Sequence, residues 1–237
     1  MTASLVDNAF TTKNRNMPSA DPAYCGALSF MRRQYSKNAK GADVVVWGIP
    51  FDAAVSNRPG ARFGPQAIRK ASAIFCNDPQ YPSGLDLFEH LSIIDYGDCE
   101  LDYGNHWKTP AAIEKQAKAI LKSGAFLYSM GGDHFVTWPL LKAHAALHGP
   151  LAMVHFDAHQ DTWFDDGKRI DHGSFVARAV RDGIIDPAKS IQIGISTRPP
   201  ENFGIRIIPG YDVEVMTSGQ LSREIIKHVG ASKTYLT

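Results

Sequence analysis

Cysteine is scarce: the 237 residues include only Cys25, Cys76 and Cys99, with no C-x-x-C pair. That excludes a disulfide framework and a zinc site built from paired thiolates. Long runs of like charge are missing too, and 25 basic residues against 24 acidic ones leave a formal net charge of +1. Neither nucleic acid nor an anionic membrane surface is therefore expected as a partner. No apolar stretch approaches the ~20 residues that span a bilayer. No apolar run follows a basic start, as it would in a secretory signal. A soluble protein of a reducing compartment, the cytoplasm, is the expectation.

What the chain does have is ordinary globular composition, 44% hydrophobic and 21% charged. Residues 1–40 are irregular, with Asn, Pro, Ser and Lys among a few aromatics, and read as an N-terminal arm. From residue 41 to 237, short apolar runs alternate with longer amphipathic ones, as in a single α/β domain. Strands are predicted at 43–50, 91–98, 125–133, 150–157, 190–196 and from 233 onward. Helices are predicted at 64–75, 109–124, 135–149, 173–183 and 218–230. Thr109 is placed to cap the second helix, with Pro110 in its first turn and Gly124 at its end. Such alternation builds a mainly parallel sheet covered by helices on both faces, a three-layer α/β/α arrangement. Ligand sites in such folds lie beyond the carboxyl ends of the strands.

Polar residues crowd those ends. In "MVHFDAHQDTW" (153–163) an apolar strand runs into Asp157, His159 and Asp161 at alternate positions. Side chains at i, i+2 and i+4 share a face if the extended geometry persists. Carboxylate plus imidazole suits Mn, Fe, Co, Ni or Zn better than Ca or Mg. The plainer reading is a loop whose aspartates cap backbone groups. "GGDH" (131–134) ends the preceding strand with two glycines that permit a sharp turn, and projects His134 from the same edge. Asp133 reads as a turn or supporting residue. "DHGSF" (171–175) offers His172 as a proton shuttle, since imidazole titrates near neutrality. Asp171 or Ser174 can equally cap the helix that follows. The loop 50–69 can wall a pocket, with Asn57, Arg58 and Arg62 free either to touch a substrate or to fix the loop.

Together "GGDH", "FDAHQD" and "DHGSF" resemble the ureohydrolases, the family of arginases and agmatinases. The agmatinase branch looks most similar, through "GIPFD", "RPGARFGPQAIR", "SMGGDHFVTWPLLKAHA" and "MVHFDAHQDTW", from about Gly41 onward. The resemblance implies an arginase-like α/β/α fold and a pair of Mn2+ ions per subunit. It implies that His134 and Asp161 bind one ion, that His159 binds the other, and that Asp157 bridges them. Asp161 and His172 are the implied catalytic proton carriers. The implied reaction converts agmatine and water to putrescine and urea, in a homo-oligomer (trimer or hexamer). Guanidinobutyrate or another guanidino acid is the alternative substrate, and a truncated non-catalytic homologue the alternative role.

One departure stands out. The family carries a third metal motif, Asp-x-Asp-x-x-Asp-Pro, after a strand resembling "KTYLT" (233–237), and the sequence stops at that strand. The expectation is a C-terminally truncated ureohydrolase domain whose reading frame continues into that motif. Residues 1–237 alone are then expected to release little or no urea from agmatine with Mn2+; robust release by the purified polypeptide would overturn this.

Overall fold

The structure, a computed structural model, describes residues 22–75 and 79–237; residues 1–21 of the expected arm lie outside the described residues. The chain forms two compact units. One comprises the segments up to Asp52, Pro59–Gly104 and Lys115–Gly132; the other comprises Ala53–Arg58, Asn105–Glu114 and Asp133–Thr237.

The first unit holds strands β1 (Val44–Ile49), β2 (Ile93–Asp98) and β3 (Phe126–Gly131), hydrogen-bonded in the order β2-β1-β3. Both pairings are parallel. Central β1 is the continuous apolar run of the sequence, with Val45, Val46, Trp47 and Ile49 all buried, as a strand covered on both faces requires. Helix α1 (Gly64–Ser72) starts with Pro65 in its first turn and carries Arg69. The Arg69 guanidinium grips Asp95 of β2 through two bonds, Nε to Oδ2 at 2.7 Å and Nη2 to Oδ1 at 3.0 Å. Helix α2 (Leu87–His90) is a single turn capped by Asp86. From the arm, Tyr35 bridges to Asp95 and Ser36 donates to the Asp95 carbonyl, so this segment runs along β2.

Helix α3 (Thr109–Leu121) follows a 3-10 turn at His106–Lys108. Thr109 is therefore its first helical residue, with φ −55° and ψ −47°, instead of the cap expected from the sequence. The preceding turn already supplies a helical path, which leaves the threonine no extended cap geometry to adopt.

The second unit holds β4 (Ala152–Phe156), β5 (Ile191–Ile195), β6 (Arg206–Pro209) and β7 (Thr234–Leu236), in the order β6-β5-β4-β7, again all parallel. Its helices are α4 (Thr137–His148), α5 (Phe175–Arg181), α6 (Gly210–Val213) and α7 (Ser218–Val229). The α/β class with parallel strands is as expected, but hydrogen bonds divide the strands into two sheets where one was read. Alternation of strand and helix dictates parallel pairing, not which strands become neighbours.

Parity divides the second sheet cleanly. Ala152 and Val154 of β4, Ile191 and Ile193 of β5 and Ile208 of β6 form one apolar cluster with Val229, and Leu221 and Ile225 of α7 pack against it. Met153, His155 and Gln192, the residues between them, are fully buried as well. A sheet with a purely apolar face and a partly polar one is therefore present before any site is considered.

On α4, His144 packs edge-on against Tyr235 of β7, ring centroids 5.3 Å apart, and stacks on His148. Burial pushes the His144 imidazole down to about 4, and the neighbouring His148 adds to the effect. The unfolded chain then binds a proton that the folded chain refuses between the ordinary value near 6.5 and about 4. Stability should fall as pH drops through that window. His144→Gln should flatten this part of the profile in urea unfolding at pH 7 and pH 5; an unchanged slope would refute the assignment.

Candidate metal centre

The site begins where β4 ends. His155 and Asp157 are two residues apart on extended backbone, so their side chains share a direction. The Asp157 amide still bonds the Ile193 carbonyl, at 3.0 Å, and regular pairing then stops. The chain bends over the next residues, and Asp161 takes φ +52°, a left-handed conformation uncommon for a side chain beyond glycine. That reversal returns the Asp161 carboxylate towards Asp157. It is held by helix α5, whose Val176 and Ala177 amides donate to the Asp161 carbonyl at 3.0 and 3.4 Å.

His134 reaches the same place from the turn after β3. Asp133 caps this turn, accepting from Phe135 N through one oxygen and from Ala54 N through the other. Within the first unit, Gly132 sits at φ +66°, and a Cβ there would lie 2.5 Å from the Ile49 carbonyl oxygen and 2.6 Å from that of Phe51. The backbone approach inferred for "GGDH" is thus specific to a glycine.

The His134 Nδ1 lies 2.9 Å from Asp157 Oδ2 and 3.3 Å from Asp161 Oδ2, while Nε2 meets the Thr237 hydroxyl at 2.9 Å. Phe175 packs its ring against His134, 4.7 Å between centroids, and closes the apolar side. His134, His155, Asp157 and Asp161 offer ligand atoms all within 4.8 Å of one another. Burial alone would lower the His134 imidazole, but hydrogen bonds to Asp157 and Asp161 outweigh it and raise it to about 9. Asp157 is the converse: burial raises it, and the His134 ring, the His155 ring and the His159 amide hold it far below the usual carboxylate range.

His134, Asp157 and Asp161 are thus brought together. His159 is not in this cluster; its side chain is 58% exposed, its amide donates to Asp157 Oδ1 at 2.9 Å and its ring Nδ1 lies 3.4 Å from that oxygen. The extended geometry that the alternation required ends at Phe156, so His159 and Asp161 diverge. His172 stands on the loop before α5, its Nε2 3.0 Å from the Ser56 hydroxyl. Asp171 bonds the Gly173 amide, and Ser174 occupies the cap position of α5 without a side-chain bond, so the turn role falls to Asp171. Arg62 fixes its loop by bonding Asp52. His155 was missed by the sequence reading, although the same alternation counted one step backward from Asp157 reaches it.

Residues 42–237 match the arginase family. The chain belongs to the arginase family. It is 44% identical over 233 residues to an agmatinase of Chromobacterium violaceum, an alignment that takes in 98% of this chain and 72% of that protein. With an agmatinase of Neisseria meningitidis serogroup C it shares 42% identity over 197 residues, 83% of this chain and 64% of that one. Among solved structures, a hypothetical agmatinase of Burkholderia thailandensis superimposes with a TM-score of 0.94 at 42% identity, over 98% of this chain and 74% of its own. Proclavaminate amidino hydrolase of Streptomyces clavuligerus gives 0.82 at 34% identity, over 91% of this chain and 74% of its own. Against these relatives the chain spans about two thirds to three quarters of their length.

In this arginase-family chain the loop between Asp161 and α5 is pinned by a buried ion pair. Arg178 Nε donates to Asp165 Oδ2 at 2.9 Å and Nη2 to Asp165 Oδ1 at 2.5 Å, with side chains 6% and 2% exposed. Nη2 also reaches the Arg169 carbonyl, and the guanidinium lies over the Trp138 ring. Removing one partner of such a pair costs roughly 3–5 kcal/mol, because the other charge stays buried. Asp165→Asn should lower unfolding stability by about that range in urea titrations; a loss under about 1 kcal/mol would show that the pair is dispensable.

Proposed function

We propose that this chain carries a manganese-dependent amidinohydrolase centre that converts agmatine and water to putrescine and urea. The observation that carries the reading is the closure of two carboxylates, Asp157 and Asp161, on one imidazole in a chain 44% identical to an agmatinase. The donor set fits a divalent transition ion: hard carboxylate oxygens with a borderline imidazole nitrogen, and no thiolate among them. The two carboxylates converge on one imidazole, an excess of acidic oxygens that supports cation binding here.

His134, Asp157 and Asp161 would hold metal, with His159 on the outer side of Asp157. The two oxygens of Asp157 face different imidazoles, Oδ2 towards His134 and Oδ1 towards His159, so Asp157 would hold metal in company with either ring. When bound, divalent ions supply Lewis acidity and make water a competent nucleophile near neutral pH. The protein's own residues manage the protons. Water adds to the guanidinium carbon and its proton passes to Asp161. The bond from that carbon to the chain nitrogen breaks, the nitrogen takes the proton, and a primary amine and urea leave. His172, on an exposed loop beside Ser56, exchanges the remaining proton with solvent.

Among the described residues no helix is long and apolar enough to cross a membrane. A cytoplasmic homo-oligomer acting on a small guanidino substrate fits the reading, and the proclavaminate relative favours comparing guanidino acids alongside agmatine. The test is urea release by the gene product as encoded, with Mn2+ and with agmatine, guanidinobutyrate or arginine. Agmatine should be preferred, and Asp161→Asn should reduce turnover at least ~100-fold, the scale of lost acid–base catalysis. Preference for guanidinobutyrate or arginine would overturn the substrate assignment, and metal-independent turnover the mechanism.

A further inference from the structure

His155 offers a buried ring nitrogen to the cluster, and the question is whether that nitrogen binds metal or holds a hydrogen. The imidazole is fully buried, and its Nε2 has no partner at ordinary hydrogen-bond geometry. The groups that Nε2 faces are Asp157 Oδ2 at 3.5 Å and Asp161 Oδ2 at 4.0 Å. The other ring nitrogen decides the matter. His155 and Gln192 are register partners across β4 and β5, and Gln192 Nε2 lies 2.9 Å from His155 Nδ1.

Amide nitrogen and oxygen are told apart by their neighbours. Gln192 Nε2 also lies 2.7 Å from the backbone carbonyl oxygen of Gln160. A carbonyl only accepts, so a flipped amide would set two oxygens against each other at that distance. The Gln192 amide is thereby fixed with its NH2 towards both groups. Its second hydrogen points at His155 Nδ1, which must accept. In the neutral ring the hydrogen then resides on Nε2, aimed at the carboxylates.

We propose that His155 is a positioning residue and not a metal ligand: Gln160 C=O orients the Gln192 amide, Gln192 fixes the His155 tautomer, and His155 Nε2–H orients Asp157. The proposal rests on the metal-centre reading only for its purpose; the tautomer follows from the protein's own contacts. It leaves His134, Asp157 and Asp161 as the ligands of the cluster, and gives Asp157 a donor on the side away from His159. Supporting partners of this kind are worth about 10–100-fold in metal affinity.

The experiment uses nitrogen-15 imidazole NMR on the metal-free chain and again after adding Zn2+ as a diamagnetic probe, with calorimetric Mn2+ titration of the variants. His155 should show the Nε2-protonated pattern in both states. Gln192→Glu, which offers Nδ1 an acceptor, should reverse the tautomer. His155→Gln, whose amide can still donate, should keep Mn2+ affinity within several-fold, while His155→Leu should lose about 10–100-fold. An Nδ1-protonated ring in the metal-free chain, loss of the Nε2–H signal with Zn2+, or equal losses in His155→Gln and His155→Leu would each overturn the proposal. A wild-type chain that binds no metal yet shows the Nε2–H ring would instead sink the metal reading while supporting the hydrogen-bond chain.

Discussion

Two desolvated carboxylates held beside one another are the constraint around which the second unit is organised. Asp157 and Asp161 both turn an oxygen towards His134 Nδ1, within 2.9 and 3.3 Å. Like charges so placed repel, the more so where burial limits screening by solvent. The arrangement persists only because cationic or hydrogen-donating groups surround it: the His134 ring, the His159 amide and the α5 amides that grip the Asp161 backbone. A structural ion pair would need one carboxylate for one imidazole. The surplus negative charge is the feature on which the proposed cation site rests.

The surrounding fold serves that arrangement at several levels. A left-handed residue at Asp161 is tolerable because its carbonyl caps α5 and because the buried Arg178–Asp165 pair ties down the loop that follows. An isolated loop would relax such a backbone at a gain of about 1–3 kcal/mol. Within the second unit, the two-sided grip of Asp133 on the Ala54 and Phe135 amides fixes the turn that carries His134. Precision of this order is the usual condition for metal and acid–base chemistry.

Much of this was legible in the residues. The apolar runs at 43–50, 91–98 and 125–133 are strands, and "TPAAIEKQAKAIL" is a helix, because buried parallel strands and amphipathic helices write their periods directly into the chain. Short elements did not: β6 at Arg206–Pro209 has four residues with a proline, and α2 at Leu87–His90 is one turn, too brief for any period. The split into two sheets was unreadable for a different reason, since neighbour choice depends on tertiary packing. In the site, alternation picked out Asp157, which the fold places beside His134, but assumed that extended backbone continues. It ends at Phe156, so parity points backward to His155, and Asp161 returns through a φ value that no residue pattern announces.

Register links the sheet to the chemistry. His155 stands opposite Gln192, with Val154 opposite Ile191 and Phe156 opposite Ile193. A slip of one residue would place His155 against an isoleucine, turn Gln192 into the apolar cluster of Ala152, Val154, Ile191 and Ile193, and bury its amide without partners. An unsatisfied buried amide costs about 1–3 kcal/mol, and the misplaced apolar faces would add to it. The polar pair therefore selects one register that apolar packing alone would select less sharply. The selection runs both ways: the register that pairs the Gln192 amide nitrogen with His155 Nδ1 and the Gln160 carbonyl is also the one that aims the His155 ring at Asp157. Folding to the correct sheet and assembling the site are, at this pair of residues, the same event.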